Sequence, residues 1–333
     1  MCYAILMKKI IFYITIVAVL TGCEFNVRLE PEQKSPESYL APNSILYKYP
    51  QKVTDNVYSA IGATAAPTYE NSGHNNNLSF IITDEGVVVV NAGANYLLAQ
   101  ALHQEIKKLT KQPVKYVILE NAQGHAMLGS NYWQQQGAKI VSQRDGAEVM
   151  KKYGKSSVLS MKERQKDKGQ YTEPTLPDIV FDDKYEIVLG GTIIQALNLG
   201  PAHSPGDIVV WLPQQKLVIS GDIAFHQRML PVTDHTETAA WIDTWNNKFE
   251  KLGAEIVIPG HGTPTNMNEV RKYTHDYLVY LRQEVAKVLE NDGGLQDAYK
   301  IDMSAYQHLD TFTDLSQRNI GRVYRAMEFE DFE

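Results

Sequence analysis

Apolar positions in this chain fall into short runs separated by turn residues, and the runs change period along the sequence. Val57 to Ile61, Leu78 to Thr83 and Val87 to Val90 are rich in β-branched residues, as strands are. The last two are joined by Asp84-Glu85-Gly86, a hairpin signal, and Asn75-Asn76-Asn77 ahead of the second marks a turn. Tyr96 to Leu109 switches to helical spacing, with Leu97, Leu98, Ala101, Leu102 and Ile106 on one face. Val114 to Leu119 reads as a buried strand, Met127 to Gln136 as a helix, Lys139 to Ser142 as a strand and Asp145 to Tyr153 as a helix. Residues 154–178 are charged and rich in Lys, Ser and Pro, which predicts an irregular excursion.

The same rhythm then returns. A second half starts near Tyr185, with strands over Ile193 to Leu197, Ile208 to Leu212, Leu217 to Ser220 and Ile256 to Ile258. Thr238 to Leu252 is an amphipathic helix carrying Trp241, Ile242 and Trp245. Residues 267–291 predict a long helix and 294–328 further helix. Two β-β-α-β-α halves packed sheet to sheet, with helices outside, give an α/β fold of four layers, αββα, over 51–266, with a helical C-terminal extension over 267–333.

The first fifty residues follow a different pattern. Met7-Lys8-Lys9 is a positive start, and Ile10 to Leu20 is an apolar run of eleven residues, the length of a signal-peptide core rather than of a membrane span. Either Met1 or Met7 would serve as the start. The run ends Leu20-Thr21-Gly22-Cys23, which resembles the bacterial lipobox, so 1–22 is expected to be removed and Cys23 to carry lipid. One acylated terminus would tether the domain to a membrane surface in the bacterial cell envelope. Glu24 rather than Asp follows the cysteine, which points to the outer membrane, facing the periplasm, in a Gram-negative cell. Residues 23–50 read as a flexible tether.

Charge narrows the partners. The formal net charge is −7, and −9 once Lys8 and Lys9 leave with the leader. The lysines and arginines are dispersed, and phosphate neutralisation needs them clustered, so nucleic acid is not expected. Cys2 and Cys23 are the only cysteines, which excludes a disulfide framework and cysteine metal ligands in the mature domain.

The candidate chemistry lies in four stretches placed after strands: Glu120-Asn121-Ala122-Gln123-Gly124-His125-Ala126, Gly200-Pro-Ala-His203-Ser-Pro-Gly-Asp, Ser220-Gly-Asp222 and Pro259-Gly-His261-Gly. Strand ends at one sheet edge converge. Imidazole nitrogen and carboxylate oxygen are ordinary zinc ligands, and the glycines let backbone pass close to them. His226, Arg228 and His235 follow Asp222 closely and are expected at the mouth of the site, against the substrate. His74, His103, His275 and His308 lack such a context and are expected at the surface.

Together these residues resemble the metallo-β-lactamase-fold hydrolases, from about residue 54 to 265. The tail, from Thr274-His-Asp-Tyr-Leu to Arg322-Val-Tyr-Arg, is similar to the periplasmic, quinoprotein-linked branch of that family. The resemblance implies two metal positions, held by a Thr-His-x-His-x-Asp-His loop, a later His, a bridging Asp or Cys and a final His. It maps the last three onto His203, Asp222 and His261, and the loop onto Glu120 to Ala126. Asn121 and Gln123 then stand for the first two histidines, His125 for the Asp, and Ala126 for the last His. Asn91 replaces an aspartate that buttresses the loop.

Amides are poor zinc ligands, so the position needing Asn121, Gln123 and His203 is expected to be empty. His125, Asp222 and His261 remain for one zinc. His203 is then free to act as a base, and Asn121 or Gln123 to donate to an oxyanion. The expected activity is hydrolysis of an ester, amide, lactone or lactam in a small-molecule substrate. The alternatives are a metal-free binding protein that keeps the fold and a redox-linked accessory protein.

Overall fold

The computed structural model describes Ala41 and residues 44–330. The leader 1–22, Cys23 and most of the expected tether lie outside the described residues. The chain first lays down β1 (Gln51–Lys52), β2 (Val57–Ala60), β3 (Leu78–Thr83), β4 (Gly86–Val90), β5 (Val114–Ile118), β6 (Lys139–Gln143) and β7 (Ile179–Phe181). They form one sheet in sequence order. β3 and β4 pair as the expected hairpin, with Thr83 opposite Gly86. β4 to β7 run parallel, so each needs a crossover. The crossovers are α1 (Tyr96–Leu109), then α2 (Gly124–Met127) with α3 (Ser130–Gln135), then α4 (Arg144–Gln165).

The second sheet, in the order β12-β11-β10-β9-β8, comprises β8 (Lys184–Leu189), β9 (Thr192–Leu197), β10 (Val209–Leu212), β11 (Leu217–Phe225) and β12 (Ile256–His261). α5 (Thr238–Thr244) lies between β11 and β12. α6 (Met267–Tyr273), α7 (His275–Glu290), α8 (Leu295–Ala298) and α9 (Phe312–Glu330) follow.

Alternation within the strands sorts the side chains into three cores. Ile81, Val88, Val90 and Ile118 of the first sheet meet Ile194, Val210, Ile219 and Ile258 of the second. Phe80, Val87, Val89 and Val117 face the other way, onto Leu98, Leu102, Trp133 and Met161 of α1, α3 and α4. Val209, Val218 and Val257 pack under Trp241, Leu278, Leu281, Ile320 and Val323. This is the four-layer αββα arrangement that the pattern predicts, and α7 and α9 complete its second helical layer.

Several elements differ from the sequence reading. Residues 154–165 are not irregular: α4 runs 22 residues, with Met150, Gly154, Val158, Met161 and Gln165 buried on one face. The helix expected over 238–252 changes pitch, with a π turn at Trp245–Phe249 and a 3-10 turn at Glu250–Leu252. Residues 294–328 are two helices joined by an irregular stretch rather than one.

The described end of the expected tether is also docked. Leu46 is buried in the core between the first sheet and α1, α3 and α4, and the Tyr47 amide donates to His74 Nδ1 at 2.9 Å. Burying one Leu is worth about 1.5–3 kcal/mol. Ordering each residue costs about 1–2 kcal/mol. The contact therefore offsets the ordering of about one residue and pins the chain at Leu46 and Tyr47.

Three of the four histidines expected at the surface are buried. His74 is closed between Tyr47 and the Ala60 carbonyl, and burial pulls it down to about 4. His103 meets the Tyr132 hydroxyl at 2.8 Å, and burial again pulls it to about 4. His275 sits under Trp245 and beside Asp276. His308 is exposed as expected.

Candidate metal centre

β11 and β12 do not stop where their apolar runs stop. They continue to Phe225 and His261, but the parallel register shifts around Gly221, and Phe225 ends opposite His261. Asp222 and His261 therefore sit on an irregular strand pair rather than beyond it. Gly221 has φ +52°, and a Cβ there would lie 2.5 Å from Glu120 Oε2. A Cβ on Gly260 would lie 2.6 Å from the Gly221 carbonyl carbon. Only glycine lets these strands and the end of β5 approach so closely.

His125 comes from α2, the short turn after β5. The ligating atoms of His125, Asp222 and His261 lie within 4.8 Å of one another. His125 Nε2 is 3.0 Å from Glu120 Oε1 and 3.4 Å from Asp222 Oδ2. His261 Nε2 is 3.1 Å from Asp222 Oδ1, which receives no hydrogen bond. His203 Nε2 stands 3.9 Å from Asp222 Oδ2, and its ring packs on Phe225 and Trp241.

His261 Nδ1 lies 2.5 Å from the Asn75 carbonyl, which can only accept. The proton is therefore on Nδ1, and Nε2 turns its lone pair toward Asp222 Oδ1. The imidazolium form is disfavoured, because burial and the Arg228 guanidinium pull His261 down to about 4. Two buried acceptors facing each other at 3.1 Å call for a cation between them. Two imidazoles and a carboxylate are a donor set suited to zinc, so the residues present fit the metal.

The rest of the centre is crowded with charge. Burial opposes a charged His125, but Asp222 and Glu120 outweigh it and push its pKa up to about 10. Burial opposes a charged Asp222, but the cationic His125 outweighs it and holds Asp222 well below the usual carboxylate range. Burial raises Glu120, and Asp222 raises it further. Burial, reinforced by Asp222, pushes Asp207 up to about 7. His203 is pulled down chiefly by burial.

The expected site residues separate into groups. His125, His203, Asp222, His261, Gln123 and Arg228 line one cavity of about 330 Å³. Asn121 does not. Its Nδ2 hydrogens go to Asp207 Oδ1 and Asp222 Oδ2, both at 3.1 Å, and its Oδ1 accepts from the Gln123 amide. Every polar atom of Asn121 is committed, so it holds the carboxylates apart and has no donor left for an oxyanion.

His226 is likewise turned away. It contacts the Thr263 carbonyl at 2.8 Å and lies edge-on to Tyr273. His235 is exposed and lines a neighbouring cavity of about 660 Å³, which shares Gln123 with the first. Asn91 takes the buttress role: it has φ 71°, and its Oδ1 accepts from the Glu120 amide at 3.1 Å.

Glu120 and Asp207 join this cluster without being candidates from sequence, although each lies inside a stretch singled out there. Arg164 and Arg318, which also line the cavity, carried no local signal at all.

Residues 124–261 match the family model of the Metallo-beta-lactamase superfamily, and residues 7–23 match that of the prokaryotic membrane lipoprotein lipid attachment site. A metallo-beta-lactamase type 2 of Bacillus sp. (strain 170) is 24% identical over 185 residues, 54% of this chain and 64% of that protein. A linear primary-alkylsulfatase of Pseudomonas sp. (strain ATCC 19151) is 22% identical over 160 residues, 45% of this chain and 30% of that one. The chain thus spans less than two thirds of either relative. Among solved structures, a metallo-beta-lactamase from Pontibacter korlensis superposes with a TM-score of 0.57 at 21% identity, covering 69% of this chain and 97% of that one. A stereoselective inverting sec-alkylsulfatase from Pseudomonas sp. reaches a TM-score of 0.65 at 14% identity, over 83% of this chain and 50% of that one. The fold likeness to the alkylsulfatase takes in more of this chain.

Proposed function

We propose that the chain is a hydrolase of an ester, amide, lactone or lactam that uses one zinc ion, tethered to the bacterial envelope through Cys23; the match of residues 124–261 to the Metallo-beta-lactamase superfamily model and of residues 7–23 to the lipid attachment site supports this reading. His125, Asp222 and His261 would hold the metal. The observation that carries this reading is the pair His261 Nε2 and Asp222 Oδ1, 3.1 Å apart and buried, with Asp222 Oδ1 receiving no hydrogen bond among the described residues.

When bound, zinc supplies a Lewis acid and an acidified water. The chain's own residues do the rest. His203 is neutral at physiological pH and accepts a proton at Nε2, the ring atom nearest Asp222. Gln123 is half-buried where the two cavities join, and no hydrogen bond among the described residues holds its side chain, so its amide is the donor for a developing oxyanion. Asn75 fixes the His261 tautomer, and Asn121 fixes Asp222.

One observation favours a second reading, a metal-free binding protein. A cationic His125 between Glu120 and Asp222 already places a positive charge inside the site. Metal content decides between the two. Protein purified without chelator should carry about one zinc per chain, and Asp222→Ala should carry none. Protein that stays metal-free after incubation with zinc establishes the second reading.

A further inference from the structure

Arg228 is a buried guanidinium, 5% exposed, in the wall of the metal cavity. Among the described residues no carboxylate lies within ion-pair distance of it. Its contacts are long: 3.4 Å to the Ala65 carbonyl, 3.5 Å to the Met229 carbonyl and 3.2 Å to His261 Nδ1. The last cannot be a donor bond, because that nitrogen gives its own proton to Asn75. Five N–H donors are thus left with two weak acceptors. Buried charges are normally paired or ligand-bound.

Two more arginines reach the same cavity from different elements, Arg164 from α4 and Arg318 from α9. Neither has a carboxylate within ion-pair distance among the described residues. Among the described residues the only carboxylate lining the cavity is Asp222, a proposed metal ligand. A chain of net charge −7 therefore places three cations around one opening and, among the described residues, leaves all three without an ion-pair partner. Such a cluster raises the local concentration of anions. Pro67, Leu128, Met161, Phe225 and Pro231 give the wall an apolar part, beside the neutral amides of Asn75, Gln123 and Gln165.

We propose that the cavity is built for a substrate with an apolar body and one oxyanion group, carboxylate or sulfo, gripped by Arg228 with Arg164 and Arg318. This deepens the hydrolase reading and rests on it for the reaction, though not for the binding. The planar guanidinium fork matches two oxygens of either group. The cavity of about 330 Å³ takes the charged end beside the metal, and the adjoining one of about 660 Å³, past Gln123, receives the rest of the molecule.

The test is calorimetric binding to the zinc-loaded full chain of three probes with one body: 4-phenylbutyrate, 4-phenylbutanesulfonate and neutral 4-phenylbutanamide. At least one anion should bind roughly tenfold tighter than the amide at low salt, and the preference should shrink several-fold once salt screens the arginines. The stronger of the two anions identifies the group. Arg164→Ala/Arg318→Ala alters two exposed side chains; it should keep its zinc and lose part of the preference, and Arg228→Met should abolish it. Equal binding of all three probes overturns the proposal. So does a preference left undiminished in both the double variant and Arg228→Met at full zinc content, because the metal alone then holds the anion. Binding is read without turnover, so failure to cleave any ester would count against the hydrolase reading and leave this result intact.

Discussion

His125 Nε2 lies between two carboxylates, 3.0 Å from Glu120 Oε1 and 3.4 Å from Asp222 Oδ2. The nitrogen that would bind zinc is therefore the nitrogen that holds a proton, and metal and proton compete for it. With its pKa pushed up to about 10, His125 must release a proton when zinc enters. Apparent zinc affinity should rise roughly tenfold per pH unit between about 7 and 9. Competition with a chromophoric chelator across that range measures it, and a flat profile would remove His125 from the ligand set.

The same residue sets a pH dependence in the metal-free protein. Its folded pKa, about 10, lies above its ordinary value of 6.5. The stabilisation from the Glu120–His125–Asp222 cluster is then complete below pH 6.5 and is lost as pH rises through 10. Urea midpoints of metal-free protein should fall on the alkaline side, and Glu120→Gln should flatten that fall. Zinc-loaded protein should show neither effect.

Much of this was legible from residues. The apolar runs placed Leu78–Thr83 and Tyr96–Leu109 at their observed ends, because alternation and helical spacing report burial directly. Residues 154–165 were misread because the buried stripe of α4 includes Gly154 and Gln165, which do not register as apolar, while lysines crowd the exposed side. The buried state of His74 and Leu46 escapes the sequence for a related reason: His74 is met by the Tyr47 amide and Leu46 enters a core built by remote elements, contacts that single-segment patterns do not see. At the site, His203, Asp222 and His261 are visible as residues that follow apolar strands, and His125 becomes a candidate ligand only through the family resemblance. Glu120 and Asp207 become significant only once strand ends converge on Asp222, and Arg164 and Arg318 arrive on helices remote in sequence.

Asn121 gives a sharp contrast between holding and catalysis. Its amide is shared by Asp207 and Asp222, so Asn121→Ala leaves two buried carboxylates short of a donor. The expected cost is about 1–3 kcal/mol in folding stability. Zinc affinity should drop roughly 10–100-fold, as for other groups that orient a ligand. At saturating zinc, turnover should return close to the wild-type rate. A large loss of kcat that saturating zinc does not restore would return Asn121 to the role of oxyanion donor.

Gly221 carries a steric prediction. At φ +52° and with Glu120 Oε2 2.5 Å from the site of a Cβ, alanine must displace either the strand or the carboxylate. Gly221→Ala should cost about 1–3 kcal/mol from the left-handed backbone alone and disorganise the contact between Glu120 and His125. Thermal melting with a zinc assay checks both. Gly253 also has a positive φ, 67°, but open space around its Cβ. Gly253→Ala separates the backbone cost from the loss of the close approach, and it should keep its zinc.

His203 decides whether the proposed chemistry belongs to this chain. It is buried, sits 3.9 Å from Asp222 Oδ2 and is not among the three grouped ligands. If it serves as the base, His203→Gln should retain one zinc and lower kcat by roughly 10²–10⁴-fold, with little change in KM. Because burial lowers its pKa, the acid limb of the kcat profile should fall below pH 6.5 in the wild type and vanish in the variant. The opposite outcome is equally clear. Loss of zinc in His203→Gln, with residual activity proportional to residual metal, would make His203 a ligand and place the metal nearer Asp222 Oδ2 than Oδ1.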